Sequence, residues 1–311
     1  MAYFEETNPC DIAIESVLRV LTEFFPSIGV DDIIFLYHGT YNVFEVGDDY
    51  IFKFPDRSLR NEKGLNLILR ERGLQVFLRP FLSLVIPRFE YVSSDPSMPF
   101  VGYRKIEGVS LSRCFNMADL DQVLSVARRL GEFLSELHSF RVYEAFRENW
   151  PSDFTPETHR RYWHDHYQRL RKEVFPRLSS VQREWVDGLF TGFLEDDGNF
   201  RFEPRVVHCD FDTTNIIVDP ESFEVRGIID FEETGVWDPA ADFLFFREGL
   251  EFMEEILASY SLPLGSNIES RMRFLYDRQP LIYLLTGYEW NYPNMVDAGF
   301  GMLRDRMGAQ G

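Results

Sequence analysis

The sequence predicts an α+β chain of two lobes: an antiparallel sheet with helices over residues 1–105, then a mainly helical lobe over 106–311. Three observations carry this. Short apolar stretches broken by tight turns fill the first hundred residues. Long apolar stripes at helical spacing dominate the rest. A pair of short strands between residues 205 and 230 delivers polar and acidic residues at its ends.

The elements follow in order. Asp11 to Phe25 carries Ile14, Val17, Leu18, Leu21 and Phe25 at helical spacing, ended by Pro26 and Gly29. Ile33–Tyr37, Val43–Val46 and Tyr50–Phe54 alternate as strands around turns at residues 38–42 and 47–49, and Pro55 stops the third. A helix is predicted over Arg60–Arg72, with Gly73 after its end, and two strands near Arg88–Val92 and Phe100–Lys105. Glu107-Gly108 reads as a hinge. Beyond it, Asp119 is a candidate N-cap for a helix to His138 with a stripe of Val123, Val126, Ala127, Leu130, Leu134 and Leu137. Residues 150–197 read as helices joined at Pro-marked turns. Arg205–Val207, Ile216–Val218 and Val225–Ile229 are short strands. Phe243–Tyr260 reads as a helix, and the tail from Arg271 to Arg306 as one or two more.

Composition narrows the function. The 311 residues carry 51 Asp and Glu against 32 Lys and Arg, a formal net charge of −19. Nucleic acids and anionic lipid surfaces need clustered cations, so neither is an expected partner. An acidic field instead concentrates a cationic small molecule. Cys10, Cys114 and Cys209 are odd in number and without metal-ligand spacing, as for free thiols in a reducing cytoplasm. The first ten residues lack the basic and apolar regions of a signal peptide, and no apolar run approaches the ~20 residues of a membrane span. The expected location is cytoplasmic, and the expected state monomeric.

The chemistry is concentrated in residues 206–233. One apolar strand delivers His208-Cys209-Asp210, Asn215 follows five residues after Asp210, and a second apolar strand delivers Asp230. This H-x-D-x-x-x-x-N spacing with a later strand-end Asp matches a kinase signature. The residue types suit phosphoryl transfer. A carboxylate such as Asp210 orients a hydroxyl and accepts its proton. The oxygens of Asn215 and Asp230 suit Mg²⁺, a hard cation. Upstream, Lys53 lies inside the apolar strand Ile51-Phe52-Lys53-Phe54, where an ammonium needs a partner. A nucleotide phosphate and a helix Glu would serve, and Glu62 is the candidate Glu. The turn with Gly39 and Thr40 stands where a phosphate-covering loop belongs, although it has one glycine only.

At these residues the sequence resembles the aminoglycoside phosphotransferase family along nearly its whole length. The marks are IFKFP at 51–55, FLSELHS at 133–139, HCDFDTTNI at 208–216, GIIDFEE at 227–233 and DPAADF at 238–243. IFKFP, FLSELHS and GIIDF together look most like the 2″-O-phosphotransferase branch. The resemblance implies a bilobal protein-kinase-like fold, with a linker between the lobes and the nucleotide, ATP or GTP, between them. It implies Asp210 as base, Asn215 and Asp230 as Mg²⁺ ligands and Lys53 as phosphate contact. It further implies base contacts along Tyr103, Arg104, Lys105 and Ile106, and structural support from His208, Asp238 and Asp242. Glu232 stands where protein kinases have Gly, so a protein-kinase activation switch is not expected.

The implied substrate is an aminoglycoside, and its ammonium groups need carboxylates. Glu232 and Glu233 directly follow the metal Asp, and Glu289 beside Trp290 is a further candidate. Glu195-Asp196-Asp197 and the segment Trp163 to His166 extend the set. The alternatives are a kinase of the same fold for a macrolide, choline-like amine, homoserine or sugar, or a nucleotide-binding pseudokinase scaffold. The full set of base and metal-ligand candidates argues against the scaffold.

Overall fold

A computed structural model describes residues 8–308; residues 1–7, part of the stretch read as lacking a signal peptide, lie outside the described residues. The chain forms two compact units. The smaller comprises residues up to Pro80, Leu84–Gly108 and Arg226–Glu232; the larger comprises Phe81–Ser83, Val109–Val225 and the residues from Glu233 onward. Among the described residues no helix is long and apolar enough to cross a membrane.

In the smaller unit, α1 (Ile14–Leu21) precedes strands β1 (Ile33–His38), β2 (Tyr41–Val46) and β3 (Tyr50–Pro55). Helix α2 (Glu62–Leu78), β4 (Phe89–Val92) and β5 (Val101–Arg104) follow. The five strands form one antiparallel sheet in the order β1-β2-β3-β5-β4. Alternation along β3 sends Phe52 and Phe54 to one face, where Val17 and Leu21 of α1, Phe44 and Phe100 join them. Ile51 packs on the opposite face, among Val43, Val101, Tyr41, Tyr103 and Ile68 of α2. Lys53 shares that parity and is registered between Val43 and Val101. Gly102 is needed for close approach: a Cβ there would lie 2.4 Å from the Phe52 ring.

Helix α2 corrects one expectation. It does not stop at Gly73 but runs to Leu78. The buried stripe Leu65, Ile68, Leu74 and Leu78 continues past the glycine, and its burial outweighs the ~1 kcal/mol that glycine costs in a helix.

The larger unit begins with β6 (Val109–Ser110), a short α3 (Leu111–Cys114) and α4 (Leu120–Leu137). Asp119 caps α4 by accepting from the Gln122 N–H, and the Gln122 side chain returns the bond. Helices α5 (Phe140–Asn149), α6 (Pro156–Glu173) and α7 (Ser180–Glu195) lead to β7 (Arg205–Val207) and β8 (Ile216–Val218). The chain continues through β9 (Val225–Ile228) to β10 (Gly235–Trp237), which pairs with β7; β6 pairs with β8. Helices α8 (Leu250–Ser259), α9 (Ile268–Asp277), α10 (Gln279–Glu289) and α11 (Pro293–Gly308) complete it.

Two further expectations change here. Only Leu250–Ser259 of the stretch 243–260 is α-helical, because Gly249 takes φ +104° and resets the chain. Phe243 and Phe245 are core residues before that break. The tail holds three helices rather than one or two, with Asn291 at φ +57° and Pro293 separating the last pair.

Candidate active site

In the smaller unit the chemistry gathers around Lys53, which is only 4% exposed. Its Nζ donates to Asp230 Oδ1 at 2.9 Å and lies 3.9 Å from Glu71 Oε2. The ammonium sits 4.5 Å from the centre of the Tyr41 ring. Burial alone pulls the Lys53 pKa down, but Asp230, then Glu71 and Glu232, more than offset it and hold the amine protonated well above its usual range. Burial pushes the Glu71 carboxyl up to about 7 against the pull of Lys53. The phenols of Tyr37 and Tyr103 are raised by burial first and the Asp230 carboxylate second in Tyr37, with Lys53 opposing in both.

The helix partner of Lys53 is therefore Glu71 and not Glu62. Glu62 opens α2 in its exposed first turn, where an acid favours the helix N-terminus. Glu71 follows Ile68 by three residues on the buried stripe and is braced by Gln75 Nε2 at 3.2 Å. An acidic residue on an apolar stripe was the available signal.

The other nucleotide-site candidates are placed as follows. Gly39 and Thr40 form the β1–β2 turn, and the Thr40 carbonyl accepts from the Asp56 N–H at 2.8 Å. Tyr103 and Arg104 belong to β5 and pair with Ile51 and Tyr50. The Lys105 N–H donates to the Asp49 carbonyl at 2.7 Å and its ammonium pairs with Glu45 at 2.8 Å. Ile106 follows, and a Cβ on Gly227 would meet its side chain at 2.9 Å.

In the larger unit β7 ends at Val207 and leads into His208, whose side chain is fully buried against Phe211. Cys209 takes φ +71° and turns the chain, leaving Asp210 exposed. The turn is pinned from below. Asp242 accepts from the backbone N–H of His208 at 2.7 Å and of Cys209 at 2.9 Å, while His138 directs Nε2 at it from 3.0 Å. Tyr260 supports the other His138 nitrogen at 3.0 Å. Asn215 Nδ2 donates to both the carbonyl and the Oδ2 of Asp210, each at 2.9 Å. That commits the amide nitrogen and fixes which atom of Asn215 is the oxygen. Thr213 ties the loop to Glu248 at 3.1 Å. Asp238 is buried beside Arg271 at 3.2 Å, both fully enclosed, and caps the following turn at the Ala240 N–H. The contributions of Glu71, His138 and Glu248 were not read from the sequence.

The substrate candidates divide. Glu233 is exposed, and the Glu232 carbonyl accepts from Arg70 at 2.6 Å. Trp290 is 57% exposed, whereas Glu289 is paired with Arg169 at 2.6 Å. Asp197 is paired with Arg160 at 2.6 Å and Asp196 caps a turn at the Gly198 N–H. Trp163 is 1% exposed and packs edge-on to Phe274, so it is core rather than pocket wall. His166 is buried as well.

Trp163 also fixes a neighbour's protonation. Its indole N–H donates to His159 Nε2 at 2.6 Å, and an indole can only donate. His159 is thus neutral, and burial, with Arg278 and Arg271 beside it, lowers its pKa to about 3. Unfolding releases it to its ordinary value near 6.5, so the unfolded chain binds more protons between those limits. Stability is then present above pH 6.5 and is lost as pH falls. At pH 5 the loss from this residue is about 2 kcal/mol. Urea unfolding at pH 7.5 and 5.0 will show that His159→Gln loses less than the wild type by this margin; equal losses would refute it.

A sequence profile described as "Phosphotransferase enzyme family" matches residues 32–275. Among solved structures, the fold is similar to the GDP complex of wild-type aminoglycoside 2'-phosphotransferase-IIIa, at 22% identity and a TM-score of 0.83 over 96% of this chain and 100% of that one. It is similar to the GDP and kanamycin complex of APH(2")-IIia, at 23% identity and a TM-score of 0.81 over 94% and 99%. It is also similar to macrolide 2'-phosphotransferase MphH from Brachybacterium faecium, at 18% identity and a TM-score of 0.72 over 93% and 98%. With a profile match over most of its length, on a fold of this kind, the chain belongs to the phosphotransferase enzyme family.

Proposed function

We propose that the protein transfers the γ-phosphoryl group of ATP or GTP to a hydroxyl of an aminoglycoside, in the manner of the 2″-O-phosphotransferase branch. The observation that carries this reading is the Asp210–Asn215 pair on a loop pinned by Asp242. Asp210 orients the acceptor hydroxyl and takes its proton. Lys53, held charged in a buried setting, binds a nucleotide phosphate. The Asn215 amide nitrogen is committed to Asp210, which leaves its carbonyl oxygen as the donor atom for a hard cation. Asn215 and Asp230 would therefore hold Mg²⁺, and they fit it chemically as all-oxygen donors. When bound, the ion neutralises charge developing on the transferring group. A formal charge of −19 favours a polycationic acceptor, and Glu232 and Glu233 supply carboxylates beside the metal residue.

The likeness to a macrolide phosphotransferase supports a second reading, a macrolide acceptor. Purified protein assayed with ATP and GTP against kanamycin, gentamicin, streptomycin and macrolides separates the two. Turnover with aminoglycosides is expected. Turnover with macrolides alone, or with none of these acceptors, would overturn the leading reading.

A further inference from the structure

We propose that Arg70 is a positioning residue, which holds the turn at Asp230 in its left-handed conformation by hooking the carbonyl of Glu232; this rests on Asp230 being a metal ligand. Asp230 takes φ +68°. A non-glycine residue there carries a conformational cost and stays only where its surroundings over-determine it. The surroundings are two neighbouring groups on one helix. The Glu71 carboxylate accepts from the Phe231 N–H, and Arg70 Nη1 donates to the Glu232 carbonyl at 2.6 Å.

Consecutive helix residues point about 100° apart, so α2 grips the turn from two directions. Lys53 of β3 holds the Asp230 side chain itself at 2.9 Å. Residues 230, 231 and 232 thus each meet a group of the smaller unit. The Phe231 side chain is fully buried and adds an anchor between the two backbone bonds.

The three holds differ in what they can do once a nucleotide arrives. Lys53 pairs with Asp230 and lies near Glu71, whose carboxylate Asp230 repels, so both respond directly to charge when phosphate or a cation enters. Arg70 holds a backbone carbonyl, a contact made without the Asp230 carboxylate. It keeps the Asp230 carboxylate aimed while the side-chain contacts change. A ligand carboxylate whose supporting shell is lost typically gives up 10–100-fold in metal affinity.

The test compares wild type with Arg70→Gln, which keeps most of the aliphatic stem, and Arg70→Lys, which keeps a charged donor. Hydrogen exchange is followed on peptides covering residues 229–234, and Mn²⁺ affinity is measured by titration in the presence of ADP or GDP, with no acceptor. Exchange at this turn is expected to rise about tenfold in Arg70→Gln, and Mn²⁺ affinity to fall about tenfold. Arg70→Lys restores most of both, and the urea midpoint stays in place. Unchanged exchange overturns the proposal, as does a rise spread evenly through the smaller unit, or a loosened turn with unchanged Mn²⁺ affinity. Wild-type protein that bound no metal–nucleotide would count against the proposed function instead, and the exchange measurement would still decide on Arg70.

Discussion

Asp210→Asn will lower the rate of phosphoryl transfer by about 10²–10⁴-fold, the range a positioned general base contributes. The substitution is nearly isosteric. The turn that carries residue 210 is held by Asp242 through backbone N–H groups of the two preceding residues, so it does not depend on the Asp210 charge. What is lost is the proposed proton acceptor. Nucleotide affinity should stay within about threefold, since Lys53 lies in the other unit and is untouched. Steady-state kinetics with a saturating acceptor, beside nucleotide titration, make the comparison. Transfer retained above a tenth of the wild-type rate would remove Asp210 from the role of base.

The second large effect is on stability. Asp238→Ala strands the Arg271 guanidinium, which is fully enclosed and finds its carboxylate at 3.2 Å. Burial also raises the Asp238 pKa, to about 6, despite the pull of Arg271, so each ion depends on its partner in a setting that suits neither alone. Removing one member of such a pair costs roughly 3–5 kcal/mol. Replacing both by apolar residues, as in Asp238→Leu with Arg271→Met, should recover most of it, because the expensive species is the single uncompensated charge. Chemical denaturation of the three proteins tests this. A single variant within about 1 kcal/mol of wild type would show that solvent reaches Arg271.

The lobe order, the strands β1 to β3 and the helix α4 with its Asp119 cap were legible in the sequence because each rests on local rules: period two, period 3.6, and a capping box. Lys53 was legible for a related reason, as a cation on an otherwise apolar strand. Its partner was not. Glu62 was the nearer acidic residue along the chain, but side-chain direction around α2 selects Glu71, and this follows from helix phase rather than proximity. Gly73 misled in the same helix, since a local breaker gave way to burial of Leu74 and Leu78. The supports of the loop that carries Asp210 were only half visible. Asp242 lies in a motif, yet its contacts to His138 and the loop backbone join positions more than thirty residues apart. The candidate carboxylates for a cationic substrate were the least legible. Surface acids look alike in sequence, and only coordinates reveal that Glu289 and Asp197 already face Arg169 and Arg160.

The fastening of Asp242 bears on how this protein fails when heated. One carboxylate joins the turn before Asp210 to helix α4 through His138, and His138 in turn meets Tyr260 just past α8. The loop therefore has no loose end from which to fray: releasing it means opening the helical core of its unit. Local opening of the kind that loops commonly undergo is closed off at the turn before Asp210, and loss of that turn on heating is expected to coincide with cooperative unfolding of the larger unit.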